Sequence, residues 1–513
     1  MSSSRPNPTA KNVAEPYGSV FGGEHAERAA DGQGKDTYDT LLRVDLETVD
    51  PTRNQLPSNE YMAEASLEPG TGKGQVGILE VESGGRKPLG QPNTLFGKAC
   101  RIFRMIVPYG GLLSCCFNLA STSLGAGIVA IPSAFNLSGV AMATVYLILV
   151  AMATAYALNL LAKVITKTGL RTYSEAARTL LGPGADYLLS ILLLILCFGG
   201  STSYIITMGS LMRPVLSHPS SPAYLATKSG NRLIVSMMWL VLMVPLVIPK
   251  KINSLRYFSG IGVSFIVYFV VCMVYHSATH GFHDTSVRKQ MVYMRSGNAA
   301  LEGLGSLLFA YMSQINAFEI YSEMARPSVG RFTLYSIISM LFVGILYFLS
   351  GFFGYADFGS KVVDSILSLY DPVNEPYIMV GYVGIVVKIC VAFAMHFHPL
   401  RDALYYLLGL RVATLPYWLH SILVMIPCTL ALICGLFIPT LNTVLGLLGS
   451  LCGGTIGMIM PSLFIMYCGH YTIREVGVVN YVSTLLLLVG GVVAVVFGTT
   501  TTIYSTVGQS FVS

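Results

Sequence analysis

From residue 110 onward, apolar stretches of about 20 residues or more alternate with short polar loops. At about 1.5 Å of rise per residue, each stretch is long enough to cross the hydrocarbon core of a bilayer as a helix. The pattern predicts eleven spans, at 110–132, 139–162, 186–212, 232–249, 256–276, 300–324, 332–355, 376–398, 416–437, 440–466 and 478–502. Residues 1–104 lack such a pattern. They are rich in Gly, Ser, Pro, Asp and Glu and cannot bury enough apolar surface to offset the entropy of ordering. The expected organisation is a disordered cytoplasmic tail, 1–104, followed by a membrane domain, 105–513, in an all-α polytopic membrane protein.

Charge sharpens this division. Of 58 charged residues, 26 precede Met105, and the other 409 positions hold 32. Hydrophobic residues make up 53% of the chain and charged residues 11%, against roughly 25% charged in a soluble domain. With the tail inside, the inner loops and the tail from Arg86 to Arg104 carry 17 Lys and Arg, and the outer loops carry seven. That bias predicts an N-terminus inside and a C-terminus outside. Lys98, Arg101 and Arg104 precede the first span and read as its positive anchor, an anionic-lipid site being the sharper alternative. Nearly all of the ten cysteines fall in apolar runs, which favours buried thiols over a disulfide framework. Asn136-Leu137-Ser138 matches a glycosylation sequon, but its loop is too short and too near the membrane for use.

Three spans break the apolar rule. Span 1 contains Ser121-Thr122-Ser123-Leu124-Gly125-Ala126-Gly127, a cluster of hydroxyls and glycines near mid-membrane. Glycine weakens a helix by about 1 kcal/mol and bares backbone N–H groups. A small-residue helix contact is the plainer reading. Span 6 carries Ser313, Gln314 and Asn316 near its middle, then Glu319 and Glu323. Glu323 lies near the interface; Glu319, a turn deeper, is the better functional candidate, with a structural ion pair as the alternative. Span 8 holds Lys388, which would snorkel, pair with Glu319, or stand in the place of a coupling cation. His396-Phe397-His398 is placed at the inner boundary and, lacking nearby Cys or acidic ligands, is not read as a metal site.

Spans 1 and 6 are corresponding members of two five-span halves. Inverted repeats with broken first helices are one transporter architecture, in which half-helix N-termini face an anionic group of the substrate near the midplane. An amino acid suits such a site.

Four strings in order carry a resemblance: NLASTSLGAGIVAIPSAF in span 1, TYSEAARTLLGPG after span 2, EIYSEMARPS at the end of span 6 and FIPTLNTVLGLLGSLCGGTIGMIMPSLF across spans 9 and 10. They resemble the amino acid/auxin permease family within the amino acid–polyamine–organocation transporters. FEIYSEM and the long polar tail look most like that family's kinetoplastid-parasite members. The resemblance implies a five-plus-five inverted repeat, LeuT-like, with one extra helix, and alternating access around a central site. It implies that Ser123, Gly125, Ala126 and Gly127 cradle a substrate carboxylate beside Ser121 and Thr122. Ser313 to Asn316 would complete the amine pocket, and Tyr204 in span 3 would cover the substrate. Span 6 departs from the pattern, having no Gly or Pro at its centre.

The expected function is secondary active or facilitative amino acid transport, by symport or uniport, with an amino acid sensor on the same fold as the alternative. No GxGD, HExxH or GxSxG sequence lies in a span, so no enzyme is expected, and no GxxxxGK loop points to nucleotide. No cofactor, metal or nucleic-acid partner is implied, and the oligomeric state is open. Glu319, Glu323 and Lys388 favour proton coupling over sodium. Glu319 in the pocket would suit arginine or lysine; Glu319 neutralised by Lys388 would suit neutral amino acids. The plasma membrane is the expected location, an internal acidic organelle the alternative.

Overall fold

The computed structural model describes residues 110–507 apart from 220, 250–254, 282–288, 290, 411–414, 439 and 470. The tail expected at 1–104 lies outside the described residues. Within them the protein is all helix, with no strand. In chain order the helices used below are α1 (Leu112–Ser123), α2 (Gly127–Ser138), α3 (Val140–Thr168), α4 (Tyr173–Leu181), α5 (Ala185–Leu216), α6 (Lys228–Val247) and α7 (Leu255–Thr279). They continue as α8 (Asn298–Ala310), α9 (Ala317–Ser322), α10 (Val329–Phe358), α11 (Pro376–Leu407), α12 (Tyr417–Phe437), α13 (Leu441–Tyr467) and α14 (Val478–Thr506).

Among the described residues, nine helices are long and apolar enough to cross a membrane, and the α1–α2 pair, bent by 58°, makes ten. The eleventh expected span, 300–324, is two short helices around a break, α8 and α9. Several helices outrun the apolar stretches that announced them. α3 continues past residue 162 through Lys163 and Lys167, and α11 past residue 398 through Pro399 and Arg401. Hydropathy marks where lipid ends, whereas the helix ladder continues until its own hydrogen bonds fail. The outward faces carry large exposed apolar side chains such as Met152, Leu341 and Ile426, the surface of a protein solvated by lipid. The nine described cysteines are free thiols, seven of them buried.

At the end of the bundle where α2 stops, residues 362–364 strap two helices together. Ser133 Oγ of α2 donates to Val363 O (2.9 Å), and Asn136 Nδ2 to Val362 O (2.9 Å). Asn442 Nδ2 of α13 donates to Val363 O (2.7 Å). Asn136 is therefore buried inside a helix with its amide engaged. Asp364 Oδ1 accepts from the first two amides of α13, Leu441 N (2.8 Å) and Asn442 N (3.0 Å). Burial pushes the Asp364 carboxyl above the usual aspartate range, against the lowering pull of those N–H groups. Asp364→Ala removes this cap and is expected to lower stability by about 1 kcal/mol, seen as a lower melting temperature in detergent. Asp364→Asn keeps an acceptor oxygen and should lose less; equal losses would show that the carbonyl-type contact is unimportant.

Close by, a second polar cluster joins three helices. His276 Nδ1 of α7 donates to Asp357 Oδ2 of α10 (2.7 Å), and His276 Nε2 lies 3.4 Å from Glu375 Oε1 at the start of α11. Tyr370 donates to the same Asp357 oxygen (3.1 Å).

Candidate functional site

The helix of span 1 stops at Ser123, and Leu124 turns the chain before α2 begins at Gly127. A break frees carbonyls on one side and amides on the other. The carbonyls find partners from other helices. Ser121 O accepts from Lys388 Nζ (3.1 Å), which also donates to Ser121 Oγ (2.8 Å). Ser123 O accepts from the Tyr347 hydroxyl of α10 (2.6 Å). The amides at the start of α2 carry the positive end of that helix's dipole.

Span 6 breaks after Ala310 without any Gly or Pro. Tyr311 to Ser313 leave the helix, Gln314–Asn316 form one tight turn, and α9 follows. Side chains hold this break open. Tyr347 Oη lies 2.8 Å from Ala310 O as well as beside Ser123 O, and Gln314 Oε1 accepts from Ser313 N (3.0 Å). The two breaks touch. Asn316 Nδ2 donates to Thr122 Oγ1 (3.1 Å). A Cβ on Gly127 would come within 2.9 Å of Ala310 Cβ and 3.1 Å of its Cα, so only glycine lets α2 approach the end of α8 this closely. A Cβ on Gly125 would stand 2.6 Å from the Tyr204 hydroxyl.

A cavity of about 20 Å³, room for one water-sized group, lies where the breaks meet. Ser121, Thr122, Tyr204, Asn316 and Lys388 line it, together with His396. Ser123, Gly125, Ala126, Gly127, Ser313 and Gln314 build the breaks around it and are not in its wall. Ser313 is fully buried, with no hydrogen-bond partner for its Oγ among the described residues. A larger space of about 930 Å³ lies between the outward faces of α3 and α10, with an apolar lining suited to lipid chains rather than to a polar ligand.

Two expectations need correction. Lys388, 3% exposed, donates to Ser121 and is not paired with Glu319, which is exposed on α9 and outside the cavity wall. Glu323 likewise lies outside it. His396 is not at the end of its helix. Because α11 continues to Leu407, His396 sits in the cavity wall, edge-on to Tyr204 with ring centroids 5.2 Å apart and Nδ1 3.4 Å from the Tyr204 hydroxyl. The sequence offered no sign of Tyr347, an aromatic in an apolar run. Tyr347→Phe leaves the Ser123 and Ala310 carbonyls without this donor. It is expected to lower stability by about 1–3 kcal/mol, checked as the shift in melting temperature of the purified protein. An unchanged melting temperature would show that neither carbonyl depends on it.

Two interrupted helices that meet around a polar cavity, inside a bundle whose outer surface is apolar, define a polytopic membrane protein of the broken-helix class. The family model for transmembrane amino acid transporter proteins matches residues 110–504, and the chain belongs to that family, the amino acid/auxin permeases. Similar proteins include vacuolar amino acid transporter 6 of Saccharomyces cerevisiae, 27% identical over 57% of this chain and 65% of that protein. Vacuolar amino acid transporter 5 of Schizosaccharomyces pombe is 26% identical over 70% of this chain and 85% of its own length. Vacuolar amino acid transporter 5 of Saccharomyces cerevisiae is 24% identical over 56% of this chain and 64% of its own.

Proposed function

We propose that this protein carries small neutral amino acids across a membrane by alternating access, with the span 1 and span 6 breaks as the substrate site. The observation that carries this reading is the meeting of both breaks around one cavity, with Lys388 bound to the span 1 carbonyl. The substrate carboxylate would take the amides at Ala126 and Gly127, and its ammonium would take Asn316 and the hydroxyls of Ser121 and Thr122. Among the described residues the cavity wall contains Lys388 and no carboxylate, which disfavours arginine and lysine as cargo. The cavity is smaller than an amino acid, so binding requires its walls to separate, as alternating access does.

Of the three roles expected for Lys388, this reading adopts the third. Its amino group engages the Ser121 carbonyl, an oxygen that a coupling sodium ion would need, which favours proton coupling or uniport. The vacuolar transporters among the relatives support an internal acidic organelle over the plasma membrane. The inverted repeat, and a C-terminus facing the lumen, complete this reading.

The test is uptake into proteoliposomes of the purified protein, comparing labelled alanine, proline, arginine and lysine, without sodium, with and without a proton gradient. Saturable uptake of alanine or proline is expected. Saturable uptake of arginine alone would overturn the neutral specificity. Binding without uptake, in vesicles active with a control carrier, would overturn transport in favour of a sensor.

A further inference from the structure

The space of about 930 Å³ between α3 and α10 lies outside the substrate site. It is a trough whose floor is buried and whose walls are exposed. Leu147 of α3, Met340 of α10 and Tyr311 at the span 6 break form the floor, at 3%, 2% and 1% exposure. Met152 of α3 and Leu341 of α10 form the walls. One end is polar. There Asn159 Nδ2 of α3 donates to Thr333 Oγ1 of α10 (2.6 Å), bridging the two helices, and Lys163 lines the trough one turn further along α3. Lys167, a turn beyond and exposed, continues the same face. Neither lysine pairs with an acidic side chain among the described residues.

We propose that this trough binds one anionic phospholipid, its phosphate at Lys163, its glycerol esters over Asn159 and Thr333, and an acyl chain along the floor. Along the trough the chemistry runs from cation to hydrogen-bonding pair to apolar floor. Along such a lipid it runs from phosphate to ester to chain. The length agrees as well. Gly344, where Tyr311 meets the trough, lies eleven residues beyond Thr333 on α10. Eleven residues of helix rise about 16 Å, half of a hydrocarbon core of about 30 Å. One chain therefore reaches from the polar end to Tyr311. A zwitterionic lipid brings a cation of its own to Lys163, and a sterol brings only a hydroxyl. A net negative headgroup is the one that offsets two unpaired lysines.

The site stands one side chain away from the broken helices. The Tyr311 ring packs edge-on against Tyr347, with centroids 5.2 Å apart, and Tyr347 reaches the carbonyls at both breaks. A chain on the trough floor backs Tyr311 against Tyr347. Lipid composition thereby bears on the breaks without any lipid entering the cavity. The binding site does not depend on what the protein carries.

The experiment places the full chain in phosphatidylcholine nanodiscs with a trace of phosphatidylglycerol that carries a photoreactive diazirine at the end of one acyl chain. After irradiation, peptide mapping is expected to find label on Tyr311 and on α10 near Gly344, in excess over the outward faces of α12 and α14. Unlabelled phosphatidylglycerol is expected to displace that label, and cholesterol at the same mole fraction is not. Lys163→Gln is expected to cut labelling at the trough about fivefold and leave that on α12 and α14 unchanged, while Lys163→Arg keeps it. Label spread evenly over α10, α12 and α14 is ordinary boundary lipid and overturns the proposal. Full labelling in Lys163→Gln, or displacement by cholesterol as effective as by phosphatidylglycerol, overturns the anionic occupant. The readout needs no transport, so failure of uptake and failure of lipid binding are separate results.

Discussion

Lys388→Met is expected to cut uptake on the order of 100-fold while the protein still inserts and folds. The amino group is buried at 3% exposure and supplies two hydrogen bonds to Ser121, one to the backbone carbonyl freed by the span 1 break. Methionine fills most of the volume but donates nothing, so that carbonyl loses its donor at the point where α1 ends. Losing the donor loosens the break that sets the amides of α2 beside the cavity. Ser121→Ala gives the control. It removes the hydroxyl contact and keeps the carbonyl one, so its loss should be several-fold smaller. Initial rates in proteoliposomes, normalised to correctly inserted protein, decide the matter. Near-normal uptake by Lys388→Met would remove Lys388 from the site.

The second large effect is on stability. Asp357→Ala should destabilise the protein by about 3–5 kcal/mol, the cost of breaking a buried pair by deleting one partner. Asp357 is 1% exposed and serves both His276 and Tyr370, so alanine strands two donors and opens a void between α7 and α10. Asp357→Asn retains one acceptor oxygen and should cost about 1–3 kcal/mol. Melting temperatures in one detergent, taken with matched protein concentrations, separate the two. An alanine variant as stable as wild type would mean that the cluster is electrostatically idle.

The membrane fold was legible because lipid imposes a simple rule: apolar length on the outside and internal hydrogen bonding throughout. The span 1 break was legible for the related reason that hydroxyls and glycines are poor company for lipid. Span 6 was harder. Its polar cluster at 313–316 located the break to within a few residues, but the cause lies on another helix. Tyr347 is 36 positions beyond Tyr311, and nothing in an apolar run marks one tyrosine as a bridge. Lys388 was visible as an anomaly, while its partner was not, because a backbone carbonyl leaves no trace in composition. A carboxylate is the partner a buried lysine leads one to expect, and Glu319 is the nearest in sequence pattern; the fold turns it outward. His396 was misplaced because hydropathy ended span 8 at residue 398, several residues before the helix ends.

The Tyr347 hydroxyl has one hydrogen and two carbonyl oxygens within reach, Ser123 O at 2.6 Å and Ala310 O at 2.8 Å. It can serve only one of them fully at any instant. Handing the hydrogen from one to the other needs only a rotation of the O–H bond, so the two broken helices are joined by a bearing and not by a weld. The hydroxyl can therefore serve either carbonyl in turn. A joint of that kind keeps both breaks registered to each other without fixing either to a single partner.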